Sequence, residues 1–320
     1  MATDTTQAPT VALTKEQMRY RRRKRLDRSK YLYVLLAAPV LYFLMFRYAP
    51  MFGLVIAFKD YNVFLGMIES EWVGLENFHD IFTSPDFWQV FRNTLIISLY
   101  KIVAGFPVPI VLALLMNEMR SVKFRRLTQT VLYLPYFISW TVIGTIILVI
   151  FSPTTGFMSE VSVWLSGGSR LNLLASRQYF RGILVITDIW KTAGWGTIIY
   201  LAALSTIDPQ LYEAAIVDGA NRWQQIWRIT IPSIMSVIVL LLIMRIGWIM
   251  YAGFEQILVL QNPVVRDVSD IFDTYVYRVG LGRGQYSFTA TAELFKSVTG
   301  LILIFGADRF AKVMGEEGLL

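Results

Sequence analysis

Apolar residues in this chain gather into stretches far longer than a soluble domain needs. Six of them, roughly 31–57, 89–116, 127–151, 179–204, 229–253 and 288–311, qualify as spans, since a helix crosses the hydrocarbon layer with about 20 mainly apolar residues. The pattern predicts an all-α integral membrane protein with six transmembrane helices. Arg47 and Pro50 interrupt the first stretch, so its membrane portion is expected to end early. The second carries "GFPVP" at 105–109, prolines that would break a helix in water. In a membrane bundle, neighbouring helices satisfy the carbonyls they free.

The polar segments between the spans give an orientation. Six crossings put both termini on one side, together with the loops 117–126 and 205–228. The tail 1–30, those two loops and the tail 312–320 hold 9, 4, 2 and 1 Lys/Arg, whereas the connections 58–88, 152–178 and 254–287 hold 1, 2 and 3. An excess of Lys/Arg marks the cytoplasmic face, so both termini are expected inside. Against its nine basic residues the tail 1–30 has three acidic ones, which supplies +6 of the chain's net +7. A nucleic-acid-binding arm is one reading of "RYRRRKRLDRSK"; its position against the first span favours a topological flank. Residues 1–30 are expected to be disordered, beginning with a polar segment poor in bulky apolar residues. A cleavable signal peptide is not expected, given the length of the apolar run and the lack of a small-residue cleavage site.

Composition agrees with a membrane protein. Of 320 residues, 55% are hydrophobic and 17% charged, against about 25% charged in soluble domains, and mean hydropathy is +0.50. There is no cysteine, and the single histidine, His79, lies in a polar connection. Disulfides and thiol or zinc sites are thereby ruled out. The connection 58–88 carries Asp60, Glu69, Glu71, Glu76, Asp80 and Asp86, with Trp72 and Trp88 as candidate interfacial anchors. Such acids repel an anionic partner, pair with a basic one, or are simply solvated.

The loop 205–228 is the most informative polar segment. In "STIDPQLYEAAIVDGA", Asp208 can cap a helix and Pro209 suits its first position. Glu213 sits early in that helix, where the dipole favours negative charge. Ala214 and Ala215 keep one face shallow, and Gly219 suits a left-handed stop. Trp223, Ile226 and Trp227 then recur at helical spacing, and Pro232 allows the chain to turn back toward the apolar stretch. Two short helices meeting at a glycine make a compact knob able to fit a groove in another protein.

This stretch resembles the EAA loop of binding-protein-dependent ABC importer permeases, whose pattern is EAA, three residues, Gly, nine residues, Ile, one residue, Leu-Pro. Glu213, Ala214, Ala215, Gly219, Ile229 and Pro232 fall in register; Ile231 stands where the family has Leu. "APVLYFLMFRYAPMFGLVIAFKDYN" (38–62), "WVGLENF" (72–78), "FRNTL" (91–95) and "YLPYFISW" (133–140) resemble the carbohydrate branch, related to the maltose-importer type with a shorter periplasmic insertion. Importers of complex and uronate-containing oligosaccharides, alginate importers among them, are the subgroup these stretches look like.

The resemblance implies an ABC type I importer permease fold in which the chain performs no covalent chemistry. Glu213, Ala214, Ala215, Asp218, Gly219, Ile229 and Pro232 would form the coupling contact. The implied partners are a second permease subunit, a dimer of ATP-binding subunits and an extracytoplasmic sugar-binding protein. ATP and Mg would be bound by the ATPase, with no cofactor on this chain. Its own sequence agrees, since "GLGRGQ" (280–285) lacks the Lys-Ser/Thr ending of a phosphate loop.

Ionisable residues inside spans are costly and usually face a polar interior, which selects Lys101, Asp188, Lys191, Arg245 and Glu255. Aromatic faces stack on sugars, which adds Tyr100, Tyr136, Trp140, Trp190, Trp195, Trp248 and Tyr251 as candidate pathway residues. Each has a plainer alternative. The aromatics can be packing or interfacial anchors, Asp188 and Lys191 can pair with each other along one helix face, and Lys101 and Glu255 can snorkel from span ends.

An ion-coupled secondary transporter would show inverted repeats and buried carboxylates; no convincing repeat relates the halves. An intramembrane enzyme would need a nucleophile with a base, or a metal set, and the spans offer no carboxylate pair. Within the importer family, a permease for a neutral oligosaccharide or another solute such as a peptide stays open.

Overall fold

The computed structural model describes residues 15–166, 168, 170–313 and 315, and the chain divides into two units, Met1–Val55 and Ile56–Leu320. The first unit contains one long helix, α1 (Lys15–Phe43), followed by a π turn at Leu44–Tyr48. The disorder expected over 1–30 is therefore corrected for residues 15–30. Those residues are mainly Lys, Arg, Gln, Glu, Leu and Met, all good helix formers, and the helix has no glycine and no proline before Pro39. Residues 1–14, the remainder of that expectation, lie outside the described residues. The interruption at Arg47 and Pro50 is a change of winding, through the π turn into a 3₁₀ stretch at Ala49–Phe58, rather than an end.

The second unit opens with a two-residue antiparallel ribbon, β1 (Lys59–Asp60) against β2 (Glu71–Trp72). Lys59 closes the loop between them, donating to the carbonyls of Met67, Ile68 and Ser70 at 2.9–3.1 Å. Trp72, expected as an interfacial anchor, stacks on Phe58 at 5.9 Å. The short α2 (Glu76–Thr83) leads into α3 (Pro85–Gly105) and α4 (Pro107–Asn117), and together α3 and α4 fill the second expected span.

The third expected span, 127–151, is not one helix. It consists of α5 (Val122–Tyr133), a 3₁₀ turn to Phe137, and α6 (Trp140–Ile150), with a bend of 99° at the break. Pro135 and Ser139 supply the local reason: the proline removes a helical donor, and Ser139 Oγ accepts from Val142 N to start α6 afresh. After α7 (Phe157–Ser166), the 28-residue helix α8 (Arg177–Leu204) covers the fourth stretch. The loop helices α9 (Pro209–Val217) and α10 (Arg222–Gln225) follow, then α11 (Met235–Gly247), which is bent 61° from the segment before it.

Past α11 the fifth expected span stops at Gly247, six residues early. The following helix, α12 (Phe254–Leu260), belongs to the expected polar connection 254–287, yet Gln256, Ile257 and Leu260 are buried. Its "FEQILVL" places apolar side chains toward α3, α6 and α8, where Ile97, Ile143 and Leu184 share one core with Ile257. A second core joins α2, α3 and α13 (Phe272–Val276) to α14 (Tyr286–Val313) through packed rings. Phe87 lies 5.5 Å from Phe272 and 5.2 Å from Phe295.

Among the described residues, three helical segments are long and apolar enough to cross a membrane: Ser29–Phe58, Pro85–Asn117 and Tyr286–Val313. Two more join them if each bent pair is one span. α8 is long enough, but Asp188, Lys191 and its glycines and threonines dilute its apolar character.

Lys191 explains how the 99° break is held. Its buried ammonium donates to the carbonyls of Pro135 (3.3 Å), Tyr136 (3.0 Å) and Ile138 at the break, of which Pro135 also accepts from Ile138 N at 3.3 Å. It also lies over the Trp140 ring at 5.4 Å. Replacing Lys191 by Met should lower stability by about 2 kcal/mol, because bonds from a charged donor are lost and the carbonyls stay buried. Thermal melting of the purified protein would report the loss, and transport of every substrate should fall together. A loss restricted to acidic substrates would instead assign Lys191 to the pathway.

Candidate functional site

The loop 205–228 folds as the two-helix knob its residues predict. Asp208 Oδ1 accepts from Gln210 N at 2.9 Å with Pro209 in the first turn of α9. At the far end Gly219 adopts φ +78°, and Ala220 N bonds Ala215 O at 2.9 Å while Gly219 N bonds Ile216 O at 3.0 Å. This is a glycine-terminated helix end with its last carbonyls satisfied. A Cβ at Gly219 would meet nothing within 4 Å, so the requirement there is conformational, not spatial.

Asn221 and Gln224 cap α10 reciprocally, at 2.9 and 2.8 Å. Tyr212 hydroxyl to Thr230 hydroxyl at 2.9 Å ties α9 to the π turn (Ile226–Thr230) that follows α10, and Arg222 reaches Glu118 of the preceding loop at 3.3 Å. Glu213, Ala214, Asp218 and Gly219 are exposed, Ala215 and Ile229 half-buried, and Pro232 exposed where the chain leaves the knob. Beside them Ile216 and Val217 are uncovered, the latter 87% exposed. The knob is internally braced and presents an apolar tip.

A second polar constellation lies among the spans. Lys101, buried on α3, donates to Asp188 Oδ1 at 3.1 Å, to the Ala252 carbonyl at 2.9 Å and to Gln256 Oε1 at 2.5 Å. The other oxygen of Asp188 faces Arg245 at 3.6 Å. Gln256 passes its amide on to the Leu184 carbonyl and Thr187 Oγ1, both at 2.8 Å. Gly253, at φ +100°, allows this convergence, because a Cβ there would stand 2.8 Å from Lys101 Nζ.

Two of the plainer alternatives are set aside by this network. Asp188 pairs with Lys101 and Arg245 and not with Lys191, whose ammonium is taken by the carbonyls of the helix break. Lys101 does not snorkel; a carboxylate within reach offsets the desolvation that snorkelling would avoid.

Two adjoining recesses open on this network. One, of about 320 Å³, is lined by Tyr136, Asp188, Thr192, Trp195 and Arg245 among others, with Tyr136 and Trp195 stacked at 4.5 Å and 4°. The other, of about 170 Å³, shares Asp188 and Arg245 and adds Ser98, Trp248 and Tyr251. Trp248 and Tyr251 lie 5.0 Å apart, and the buried Ser98 Oγ has no hydrogen-bond partner among the described residues. With all three groups ionised, Lys101, Asp188 and Arg245 leave one positive charge in excess, carried on Arg245, whose side chain is 45% exposed.

Of the candidate pathway residues, Tyr136, Asp188, Trp195, Arg245, Trp248 and Tyr251 therefore meet. Trp140 and Lys191 are spent on the helix break, and Trp190 and Glu255 are exposed and line neither recess. Sequence reasoning missed Gln256 and Ser98, which carry no charge to flag them. It also missed Glu293 and Lys296 in the last span, although they satisfy the same criterion of an ionisable residue among apolar ones.

Residues 105–314 match the family model of the binding-protein-dependent transport system inner membrane component. The chain belongs to that family. It is a multi-pass membrane permease component, not an enzyme. It is 48% identical over 294 residues to the protein LplB of Bacillus subtilis (strain 168), covering 92% of each chain. It is 46% identical over 321 residues to the polygalacturonan/rhamnogalacturonan transport system permease protein YteP of the same organism, covering all of both. Among solved structures, it is similar to a chain of a bacterial alginate ABC transporter in complex with alginate pentasaccharide-bound periplasmic protein. That match has a TM-score of 0.84 and 38% identity over 92% of this chain and 99% of that one.

The permease depends on the buried pair for its packing. Asp188→Asn should destabilise it by about 3 kcal/mol, since removing one partner strands a buried charge. Lys101→Met in the same chain should recover most of that loss, measured by thermal unfolding in detergent; no recovery would show that Asp188 acts without Lys101.

Proposed function

We propose that this permease translocates uronate-containing oligosaccharides or polysaccharide fragments in an ATP-driven importer. The observation that carries this reading is the pair of joined recesses: a stacked Tyr136–Trp195 platform beside a partly exposed guanidinium, Arg245, and an unpartnered hydroxyl, Ser98. Aromatic faces hold the apolar faces of sugar rings, hydroxyl groups satisfy Ser98, and a carboxylate would match the Arg245 fork. The saccharides for which the similar proteins are named, polygalacturonan or rhamnogalacturonan and alginate, are acidic saccharides of this chemistry.

In this reading both termini and the knob 205–228 face the cytoplasm, in line with the Lys/Arg distribution. Glu213, Ala214, Ala215, Asp218 and Gly219, with Ile229 and Pro232 at the base, dock the knob onto a dimer of ATP-binding subunits that holds ATP and Mg. A second permease subunit completes the pathway, and an extracytoplasmic sugar-binding protein delivers the substrate. The braces Tyr212–Thr230 and Arg222–Glu118 make the knob stiff enough to pass a displacement on to the spans beside it.

The test is reconstitution of the complete importer with substrate-loaded binding protein and ATP. Uptake of oligogalacturonide should require ATP, and Arg245→Gln should reduce it about tenfold through loss of a charge-assisted contact. Transport independent of ATP would overturn the reading. Gly219→Val forces a β-branched residue into a left-handed backbone, at about 1–2 kcal/mol of local strain. It should impair assembly with the ATPase or uncouple hydrolysis from uptake while the protein still inserts. Full transport by that variant would refute the coupling role of the knob.

A further inference from the structure

A third recess, of about 500 Å³, adjoins the smaller of the two described above and lies within the size range of ligand pockets, about 300–1,000 Å³. Tyr251 and Gly253 form a wall common to it and to the Asp188–Arg245 recess. Its other walls come from α12, α13, the π stretch Tyr277–Leu281 and the first turns of α14, so it lies beyond Gly253 on the side of the connection 254–287. Under the orientation proposed above, that side is extracytoplasmic.

Its chemistry is opposite to that of the inner recess. Lys296, 2% exposed on α14, pairs with Asp273, lies 3.5 Å from Glu293 and sits over the Tyr251 ring at 4.0 Å. The ammonium is consumed from below, while the two carboxylates line the recess, Glu293 being 36% exposed. With all three ionised the cluster carries one negative charge in excess. Phe254 and Tyr277, 5.8 Å apart, and Tyr286 supply ring faces, and Thr289 a hydroxyl. A buried lysine that holds two carboxylates beside an aromatic wall is costly in a membrane, and packing alone does not require it.

We infer that this recess is a second, outer saccharide subsite that takes a neutral sugar unit. The Glu293 and Asp273 oxygens accept its hydroxyls, the Tyr277 and Phe254 rings cover its apolar face, and Lys296 positions the carboxylates. A uronate is disfavoured there by like charge and favoured one recess further in, at Arg245. The three contiguous recesses thus form a track whose two ends select different units of one mixed oligosaccharide. This inference rests on the saccharide reading above.

The experiment compares uptake of a rhamnogalacturonan oligosaccharide, which holds both neutral and uronate units, with an oligogalacturonide of equal length. Both are presented to the reconstituted importer with its binding protein. Glu293→Gln and Tyr277→Ala should each lower uptake of the mixed oligosaccharide about tenfold, the size of one lost charged hydrogen bond or ring contact. Uptake of the pure uronate should be unchanged or higher, and Tyr277→Phe, which keeps the ring, should retain mixed uptake. If both substrates fall together, or neither falls, or wild type carries only the pure uronate, the outer subsite is overturned. If the wild-type importer takes up neither, the saccharide reading itself fails.

Discussion

A buried ion pair, Lys101 with Asp188, is the constraint on which the middle of this permease depends. Two charges removed from water must satisfy each other and fill their remaining hydrogen-bonding positions. Here the demand draws four elements to one point. α3 brings the lysine, α8 the aspartate, α11 the second cation at Arg245, and α12 with the turn before it Gln256 and the Ala252 carbonyl. Glycine at 253 suits this, because a Cβ there would crowd the ammonium at 2.8 Å. Gln256 extends the network to the backbone of α8, so α12 is held among the spans rather than released to the surface.

The same logic of satisfying groups in an apolar medium governs the broken third span. A bend of 99° frees carbonyls that lipid cannot solvate, and Lys191 answers them from the neighbouring helix. Irregular backbone at membrane depth is tolerated where it is covered by protein or lines a polar cavity. Both conditions meet here: Tyr136, within the break, turns its ring onto Trp195 and lines the recess, while its carbonyl is held by Lys191. The device that stabilises the break also fixes the aromatic platform.

The knob 205–228 is built differently, from local rules. Asp208 caps, Pro209 starts and Gly219 stops α9; Asn221 and Gln224 cap α10. Each of these works within four or five residues of chain, so the knob needs little help from the rest of the fold. Its apolar tip, Ile216 and Val217, is left uncovered by the chain itself. The knob is thus a preorganised element with an unfilled apolar face.

Sequence alone determined what depends on local chemistry: the membrane class, helices over all six apolar stretches, and the knob with its caps and glycine stop. Periodicity, capping and the cost of charge in lipid act at short range, so they are written in neighbouring residues. The choice of partner for each buried charge was not. Asp188 and Lys191 stand one turn apart and invite a pairing, yet each is claimed by a different helix, and Lys101, 87 residues from Asp188, is the true partner. The burial of α12, the sharp break at Ile138 and the grouping of Asp273, Glu293 and Lys296 were likewise decided by tertiary structure. In each case the deciding energy is the desolvation of a polar group. Which neighbour offsets it depends on how distant segments pack, and no local pattern records that.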